Sequence, residues 1–396
     1  MPELAAELRQ LNDASTLYAT QFVDALLAAA GEAGASDVHL HPTPQGLLVQ
    51  WRIDGVLLSI GEFPRGKAAD VVARLKVLAE LLTYKTDTPQ EGRIRPEDSA
   101  AANTAEMRVS TFPTLYGERA VVRLFAGEQR FHYLADLGLP AEIESALALL
   151  LVETSGAILL TGPAGSGKTT TAYACLRDIV RAAGGRRSIV TLEDPIESAL
   201  EGVSQSQVQP AAGFTLASGL RSLMRQDPEV VLVGEIRDRE TAETVFQAAL
   251  TGHLVLSTFH AGSAAGALSR LSEMGLEPYV LTSGVRAVLH QRLVRQLCEC
   301  AGDAADLLGL PVKQARAAHG CDACRATGYR GRLALAEMLP PLAGNLAQAV
   351  LQRRDANELA RLAVAGGMTT VFQRACTAVE AGQTDPAEVR RVLGFT

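Results

Sequence analysis

The stretch Gly162-Pro-Ala-Gly-Ser-Gly-Lys168-Thr169 spells G-x-x-x-x-G-K-T and follows directly on the apolar run Ala157-Ile-Leu-Leu160. A strand that enters such a loop and leaves it as a helix is the sequence form of a P-loop. Its glycines let successive backbone N–H groups curl around the α- and β-phosphates of a nucleotide. Lys168 reaches the β- and γ-phosphates, and the Thr169 hydroxyl ligates Mg²⁺. Gly162, Pro163, Ala164, Gly165, Ser166, Gly167, Lys168, Thr169 and Thr170 are therefore the candidate nucleotide-binding residues. The helix expected from about Thr169 to Ala183 turns its positive N-terminal end toward the same phosphates. A chance glycine-rich turn is the alternative, and the eight matched positions with both flanking elements in place argue against it.

Working outward, the pattern from about Pro140 is α/β, with apolar strands at Ser188-Ile-Val-Thr-Leu192, Glu229-Val-Val-Leu-Val233 and Leu254-Val-Leu-Ser257. Fully apolar strands alternating with helices predict a parallel sheet covered on both faces. The carboxyl ends of such strands line the ligand crevice. There the chain reads Glu193-Asp194-Pro195-Ile-Glu197 and Gly234-Glu235-Ile-Arg237-Asp238. Transfer of a γ-phosphoryl group to water needs an acceptor that positions the water and a carboxylate behind the metal. Glu193 and Glu235 suit those two needs, while Asp238 and Glu197 suit helix capping equally well. His253 and His260 bracket the fourth strand, and their place beside a phosphate site suggests γ-phosphate sensing over a satisfied core role.

Upstream, residues 1 to about 30 read as helix, with Leu17, Phe22, Ala25, Leu26 and Ala29 at turn-like spacings. From Asp37 the period changes to two, predicting a hairpin through Val38, Leu40, Leu47, Val49, Trp51 and Ile53. His39 and His41 share its other face, and with no further ligand near they read as strand residues rather than a metal pair. A helix at Ala68–Leu82 and strands around 105–111 and 118–124 complete a small α+β domain. Arginines are dense in it. Arg119 and Arg123 have one parity on their strand and Arg108 lies mid-strand, so they project from one surface, and forked guanidiniums suit a phosphate.

The chain of 396 residues exceeds one compact core, and we expect 1–126 as the N-terminal domain, 127–138 as a linker and 139–396 as the nucleotide domain. Its net charge of -7 argues against a general grip on nucleic acid. No run of about 18 apolar residues occurs and the acidic start lacks an apolar secretory core, which predicts a cytosolic protein. In that compartment thiols stay reduced, so Cys298, Cys300, Cys321 and Cys324 suggest metal, within a module at 297–332. Cys298-Glu-Cys300 has one residue fewer between its thiols than the usual knuckle, and His319 offers a substitute ligand. Cys175 and Cys376 read as core. Residues 340–396 read as a helical C-terminal region.

The set GPAGSGKTT, TLEDPIE, LRSLMRQDPEVVLVGEIRD and TGHLVLSTFHA resembles the ATPases of type II secretion and type IV pilus assembly, where these are the Walker A, Asp, Walker B and His boxes. GASDVHLHP, WRIDG and RVSTFPTLYGERAVVRL resemble that family's second N-terminal domain, so the likeness spans roughly residues 30 to 340. The resemblance implies a RecA-like P-loop α/β domain, a smaller N-terminal α+β (PAS-like) domain and a C-terminal metal-binding and helical extension. It implies that Glu193 positions or deprotonates the attacking water, that Glu235 holds Mg²⁺ through water, and that Arg108 and Arg123 act as arginine fingers. His253 and His260 would be the His-box residues, and the four cysteines would bind structural zinc as in the assembly branch.

By the same resemblance the protein works as a homo-hexamer on ATP and Mg²⁺. It is peripheral at the cytoplasmic face of the inner membrane through platform and docking proteins. That it does not bind nucleic acid directly is expected from the charge balance and the lack of an aromatic-basic motif, not from the resemblance. Two stretches depart from the family. The His box continues His260-Ala-Gly262-Ser in place of threonine and asparagine, and only about thirty residues precede the likeness, so the usual docking domain is expected to be missing. Competing readings are a retraction or DNA-uptake motor, which the cysteine module and Thr327-Gly-Tyr-Arg-Gly-Arg332 oppose, and a nucleotide-bound scaffold that does not hydrolyse, which the presence of Lys168, Thr169, Glu193 and Glu235 opposes.

Overall fold

The computed structural model describes residues 2–95, 107–124 and 131–394. The chain divides into two compact units, Met1–Gln129 and Arg130–Thr396.

The first unit opens with helices α1 (Pro2–Gln10) and α2 (Tyr18–Glu32), where periodicity alone suggested one helix. The interruption has a local cause: Asn12 Oδ1 accepts the Ala14 N–H at 3.0 Å and Ser15 Oγ accepts the Leu17 N–H at 3.1 Å, so the backbone bonds to short polar side chains instead of continuing the helix. Strands β1 (Asp37–Pro42), β2 (Gly46–Ile53) and β3 (Val56–Pro64), helix α3 (Ala68–Leu78), then β4 (Gln90–Ile94), β5 (Met107–Thr114) and β6 (Gly117–Leu124) follow. The strands form one sheet in the order β3-β2-β1-β6-β5-β4, with antiparallel pairing throughout. Alternation puts Val38, Leu40, Val49, Trp51, Val109 and Val122 on the face that packs against Phe22, Leu26 and Leu75 of the helices. The opposite face carries the arginines.

The second unit contains α4 (Ala141–Leu150), β7 (Gly156–Thr161), α5 (Lys168–Ala183), β8 (Ile189–Glu193), β9 (Ser204–Gln207), α6 (Leu216–Leu223), β10 (Val230–Ile236), α7 (Arg239–Leu250), β11 (Leu254–Phe259), α8 (Ala264–Glu273) and α9 (Pro278–Gly284). It continues through β12 (Val285–Leu297), the short β13 (Gly302–Asp303) and β14 (Arg316–Ala317), β15 (Tyr329–Met338), and helices α10 (Gly344–Leu351), α11 (Ala356–Ala365), α12 (Val371–Glu380) and α13 (Pro386–Leu393). Its main sheet runs β15-β12-β7-β11-β10-β8-β9. All neighbours in it are parallel except β15, which lies antiparallel to β12 at the edge. The sheet is thus mixed, where strand composition alone suggested an all-parallel one.

Successive strand residues feed two cores. Ala157, Leu159, Val231, Val233 and Val255 face α7 and α8. Ile158, Leu160, Val230, Leu232, Leu254 and Leu256 face α5. Burial on both faces explains the unbroken apolar runs. Of the expected linker, 127–130 lies outside the described residues. The remainder folds into a short 3₁₀ turn, Leu134–Leu137, whose buried Leu134 joins the α5-side core and whose N–H bonds Asp178 Oδ2 at 2.9 Å. That part packs as a piece of the second unit because Leu134 and Leu139 bury apolar surface there.

Candidate nucleotide site and thiol cluster

β7 delivers the chain into the P-loop, and α5 begins at Lys168. Gly162 has φ +144, and a Cβ there would lie 2.5 Å from both the Gln291 carbonyl and Ser166 Oγ, so only glycine lets the loop turn this close to β12. Lys168 Nζ donates to the carbonyls of Gly162 and Pro163, each at 2.9 Å. Burial lowers the Lys168 pKa and the nearby Glu235 carboxylate opposes that shift. The Ser166 hydroxyl is buried without a partner, as is Gln291 Oε1 of the neighbouring strand. Thr169 is exposed on the first helical turn. A lysine parked on loop carbonyls and an orphaned loop hydroxyl fit a cradle whose occupant is a phosphate chain.

Register sets what surrounds the loop. Phe259 of β11 is opposite Thr161 of β7, so the next residue, His260, emerges beside Gly162. His260 Nδ1 lies 3.1 Å from the Gly162 carbonyl and Nε2 lies 2.9 Å from Glu235 Oε1. Which of the two contacts the ring donates follows its tautomer. Arg270 fixes the backbone of this corner by donating to the His260 carbonyl at 2.6 Å.

Glu235 reaches this position through a bulge. β10 shifts register against β11 between Val233 and Glu235, and the extra residue is Gly234. The other Glu235 oxygen accepts Arg237 Nε at 2.9 Å, and Arg237 also bridges to Asp194 Oδ2 at 3.1 Å. A chain of contacts therefore runs Gly162, His260, Glu235, Arg237, Asp194.

Glu193 ends β8 next to this chain but is enclosed, only 3% exposed. Its carboxylate accepts from Tyr173 Oη, from Thr191 Oγ1 at 2.6 Å and from Gln205 Nε2 at 3.1 Å. Burial, and then the Glu193 carboxylate beside it, push the Tyr173 hydroxyl well above the usual phenol range.

The structure does not bring His253 to the loop. It precedes β11, at the end of the strand opposite His260, with Nδ1 3.0 Å from the Ala248 carbonyl at the close of α7, and its own carbonyl accepts the Gly156 N–H at the start of β7. A six-residue strand separates the two histidines by about 20 Å, so His253 cannot share the phosphate-sensing role within one subunit. Asp238 caps α7, accepting the Thr241 N–H at 2.8 Å, which is the structural role weighed for it.

Arg108 and Arg123 belong to the first unit. Register aligns Arg93, Arg108, Arg123, Asp37 and Arg52 in one row across five adjacent strands. Asp37 is buried and pairs with Arg123 at 3.0 Å and Arg52 at 3.6 Å, while Arg123 stays 61% exposed. Arg119 lies on the same face, with Nη2 3.2 Å from His39 Nδ1.

Sequence reasoning missed the contribution of β12, whose run Val285-Arg-Ala-Val-Leu-His-Gln-Arg fits helix and strand periods alike. His290 of β12 faces Thr161 Oγ1 at 3.2 Å, and Gln291 donates to Thr171 at 2.9 Å. Burial, followed by the Arg292 and Lys168 charges, lowers His290 to about 4, so it is neutral beneath the loop.

The four thiols of Cys298, Cys300, Cys321 and Cys324 lie within 4.8 Å of one another at the base of the long β12–β15 connection. The 298–321, 300–324 and 321–324 separations are 3.9, 3.8 and 3.7 Å. A tetrahedral metal with sulfur ligands at 2.3 Å requires edges of about 3.8 Å, so this set can hold a metal ion. The Cys321 and Gly328 N–H groups point at Cys324 Sγ at 3.1 and 3.2 Å. Burial opposes the charged thiolate, but these donors outweigh it and draw Cys324 down to about 6. The shortened Cys-x-Cys spacing closes without His319, which stays exposed.

A P-loop on a RecA-like sheet, with an acid from β10, two strands away, linked to the loop through His260, defines a P-loop nucleoside triphosphatase. Residues 12–391 match the family model described as "Type II/IV secretion system protein", and the chain belongs to that family. It is 42% identical over 380 positions to "Type II secretion system protein E" of Pectobacterium carotovorum subsp. carotovorum, covering 94% of this chain and 75% of that protein. It is 38% identical over 397 positions to "Type IV pilus assembly ATPase TfpB" of Acinetobacter baylyi, covering 97% and 67%. The fold is similar to the X-ray structure of the Legionella pneumophila ATPase DotB, with a TM-score of 0.68 at 21% identity, covering 96% of this chain and 97% of that one. No helix among the described residues is long and apolar enough to cross a membrane.

Proposed function

We propose that this ATP hydrolase is the motor of a type II secretion or type IV pilus assembly system, working as a cytoplasmic homo-hexamer on protein partners of the inner membrane. The observation that carries the reading is the junction of Glu235, His260 and the Gly162 carbonyl, which couples the acid of β10 to the phosphate loop. ATP occupies the Gly162–Thr170 loop, with Lys168 exchanging its loop carbonyls for phosphate oxygens. Thr169 and Glu235 would hold Mg²⁺, which would supply charge neutralisation at the phosphates. Glu193 orients the attacking water, His260 reports the state of the γ-phosphate to Glu235, and Arg108 and Arg123 serve as arginine fingers. The thiols of Cys298, Cys300, Cys321 and Cys324 would hold zinc, which would tie the β12–β15 connection together. Assembly rather than retraction is favoured by the complete four-thiol set.

The test is particle size and phosphate release on one sample with ATP and Mg²⁺. A particle of about six chains whose turnover falls a hundredfold or more in Arg108→Ala and Arg123→Ala supports the reading. Turnover from a monomer that is indifferent to both arginines would sink it.

A further inference from the structure

Tyr173 stands one and a half turns along α5 from Lys168 and is buried, yet its hydroxyl serves two different segments. It donates to Glu193 Oε2 and accepts the Glu197 N–H at 3.2 Å. One phenol oxygen therefore fastens both ends of the Glu193–Glu197 loop to the helix that begins at the phosphate-binding lysine. Thr191 and Gln205 hold the other carboxylate oxygen, so the three donors together fix the side chain in a single orientation. A carboxylate offers about four acceptor sites, and three donors leave about one for a further hydrogen, such as that of a water.

We propose that Tyr173 is a positioning residue for Glu193: its hydroxyl couples the phosphate-loop helix to the acid that orients the attacking water, so that the acid is aimed only while α5 is in place. This rests on the reading of Glu193 as the water-orienting acid. Tyr173 touches no reacting atom. Its part is to restrict a flexible glutamate whose strand would otherwise allow several rotamers, and a small misplacement of an orienting acid is costly to rate.

The experiment is steady-state ATP hydrolysis by the full chain with Mg²⁺, for the wild type, Tyr173→Phe, Glu193→Gln and the double variant. Nucleotide affinity is measured by titration with a fluorescent ADP. Tyr173→Phe removes only the oxygen, and we expect kcat to fall about tenfold or more, with KM and ADP affinity within about twofold. In the Glu193→Gln background the same change should add no further loss, because the hydroxyl acts through a carboxylate already gone. Thr191→Val, which removes a donor on the opposite side of Glu193 without touching α5, should also lower kcat. A Tyr173→Phe chain that does not fold is replaced by Tyr173→Met, which likewise lacks the hydroxyl and should give the same loss. Tyr173→Phe turning over within twofold of wild type while Glu193→Gln is crippled would overturn the coupling, as would fully multiplicative losses in the double variant. If Glu193→Gln itself turns over like wild type, it is the assignment of Glu193 that falls, and the coupling falls with it.

Discussion

His260 Nε2 lies 2.9 Å from Glu235 Oε1 while the other nitrogen of the same ring faces the Gly162 carbonyl at 3.1 Å. A single side chain thus spans the acid of β10 and the first glycine of the phosphate loop. This contact ties two motifs more than 70 residues apart in the chain into one site.

Cutting that span should separate binding from turnover. His260→Ala removes both contacts and leaves the P-loop backbone and Lys168 intact, so we expect nucleotide affinity to change less than threefold while kcat drops roughly a hundredfold. Equilibrium titration and phosphate release on the same preparation check it, and equal losses in both would contradict a sensing role.

Gly162 tests the cradle. At φ +144, with a Cβ placed 2.5 Å from the Gln291 carbonyl, Gly162→Ala must shift the loop away from β12. Backbone strain there costs on the order of 1–3 kcal/mol, and we expect nucleotide affinity to weaken at least tenfold. Titration with ADP at fixed Mg²⁺ reads the change.

The C-terminal helices carry a pH-dependent anchor. Glu388 is fully buried in α13 and accepts from Arg295 at 2.8 Å and from Arg391 at 2.6 Å. Although burial works against the charged form, these arginines hold the Glu388 carboxyl near 2, below its ordinary 4.5. The depressed value means the stabilisation is fully present above about pH 4.5 and is lost as pH falls toward 2. By linkage it is on the order of 3 kcal/mol at neutral pH. Glu388→Gln should therefore lower the urea midpoint at pH 7, and the gap from wild type should narrow as pH drops below 4. A gap that is constant with pH would contradict the assignment.

Metal removal addresses the four-thiol cluster. We expect about one zinc per chain by elemental analysis, and Cys321→Ser or prolonged chelation to lower the melting temperature of the second unit by several degrees. A metal-free preparation that melts like the untreated protein would rule out a structural metal.

How much of this was legible in the sequence follows from where the partners sit along the chain. The P-loop, the strand-end acids and the cysteine grouping are contiguous patterns, so Lys168, Glu235 and Cys321-x-x-Cys324 could be singled out as candidates from spacing alone. The structure places each beside the partners described above. The arginine row was half legible: strand parity put Arg119 and Arg123 on one face, but only register across five strands aligned Arg93, Arg108 and Arg123 with Asp37. His253 and His260 looked equivalent because a strand's two ends are close in sequence and about 20 Å apart in space. Tyr173 gave no signal at all. It reads as an apolar residue on the buried face of α5, and its partner Glu193 lies in another element.

The most direct test of the account is phosphate release from Mg²⁺ and ATP by the purified chain, wild type against Glu235→Gln, with nucleotide binding measured on the same samples. We expect the variant to bind nucleotide within about threefold of wild type and to release phosphate at least a hundredfold more slowly. A wild-type chain that binds ATP but turns over no faster than Glu235→Gln would contradict it.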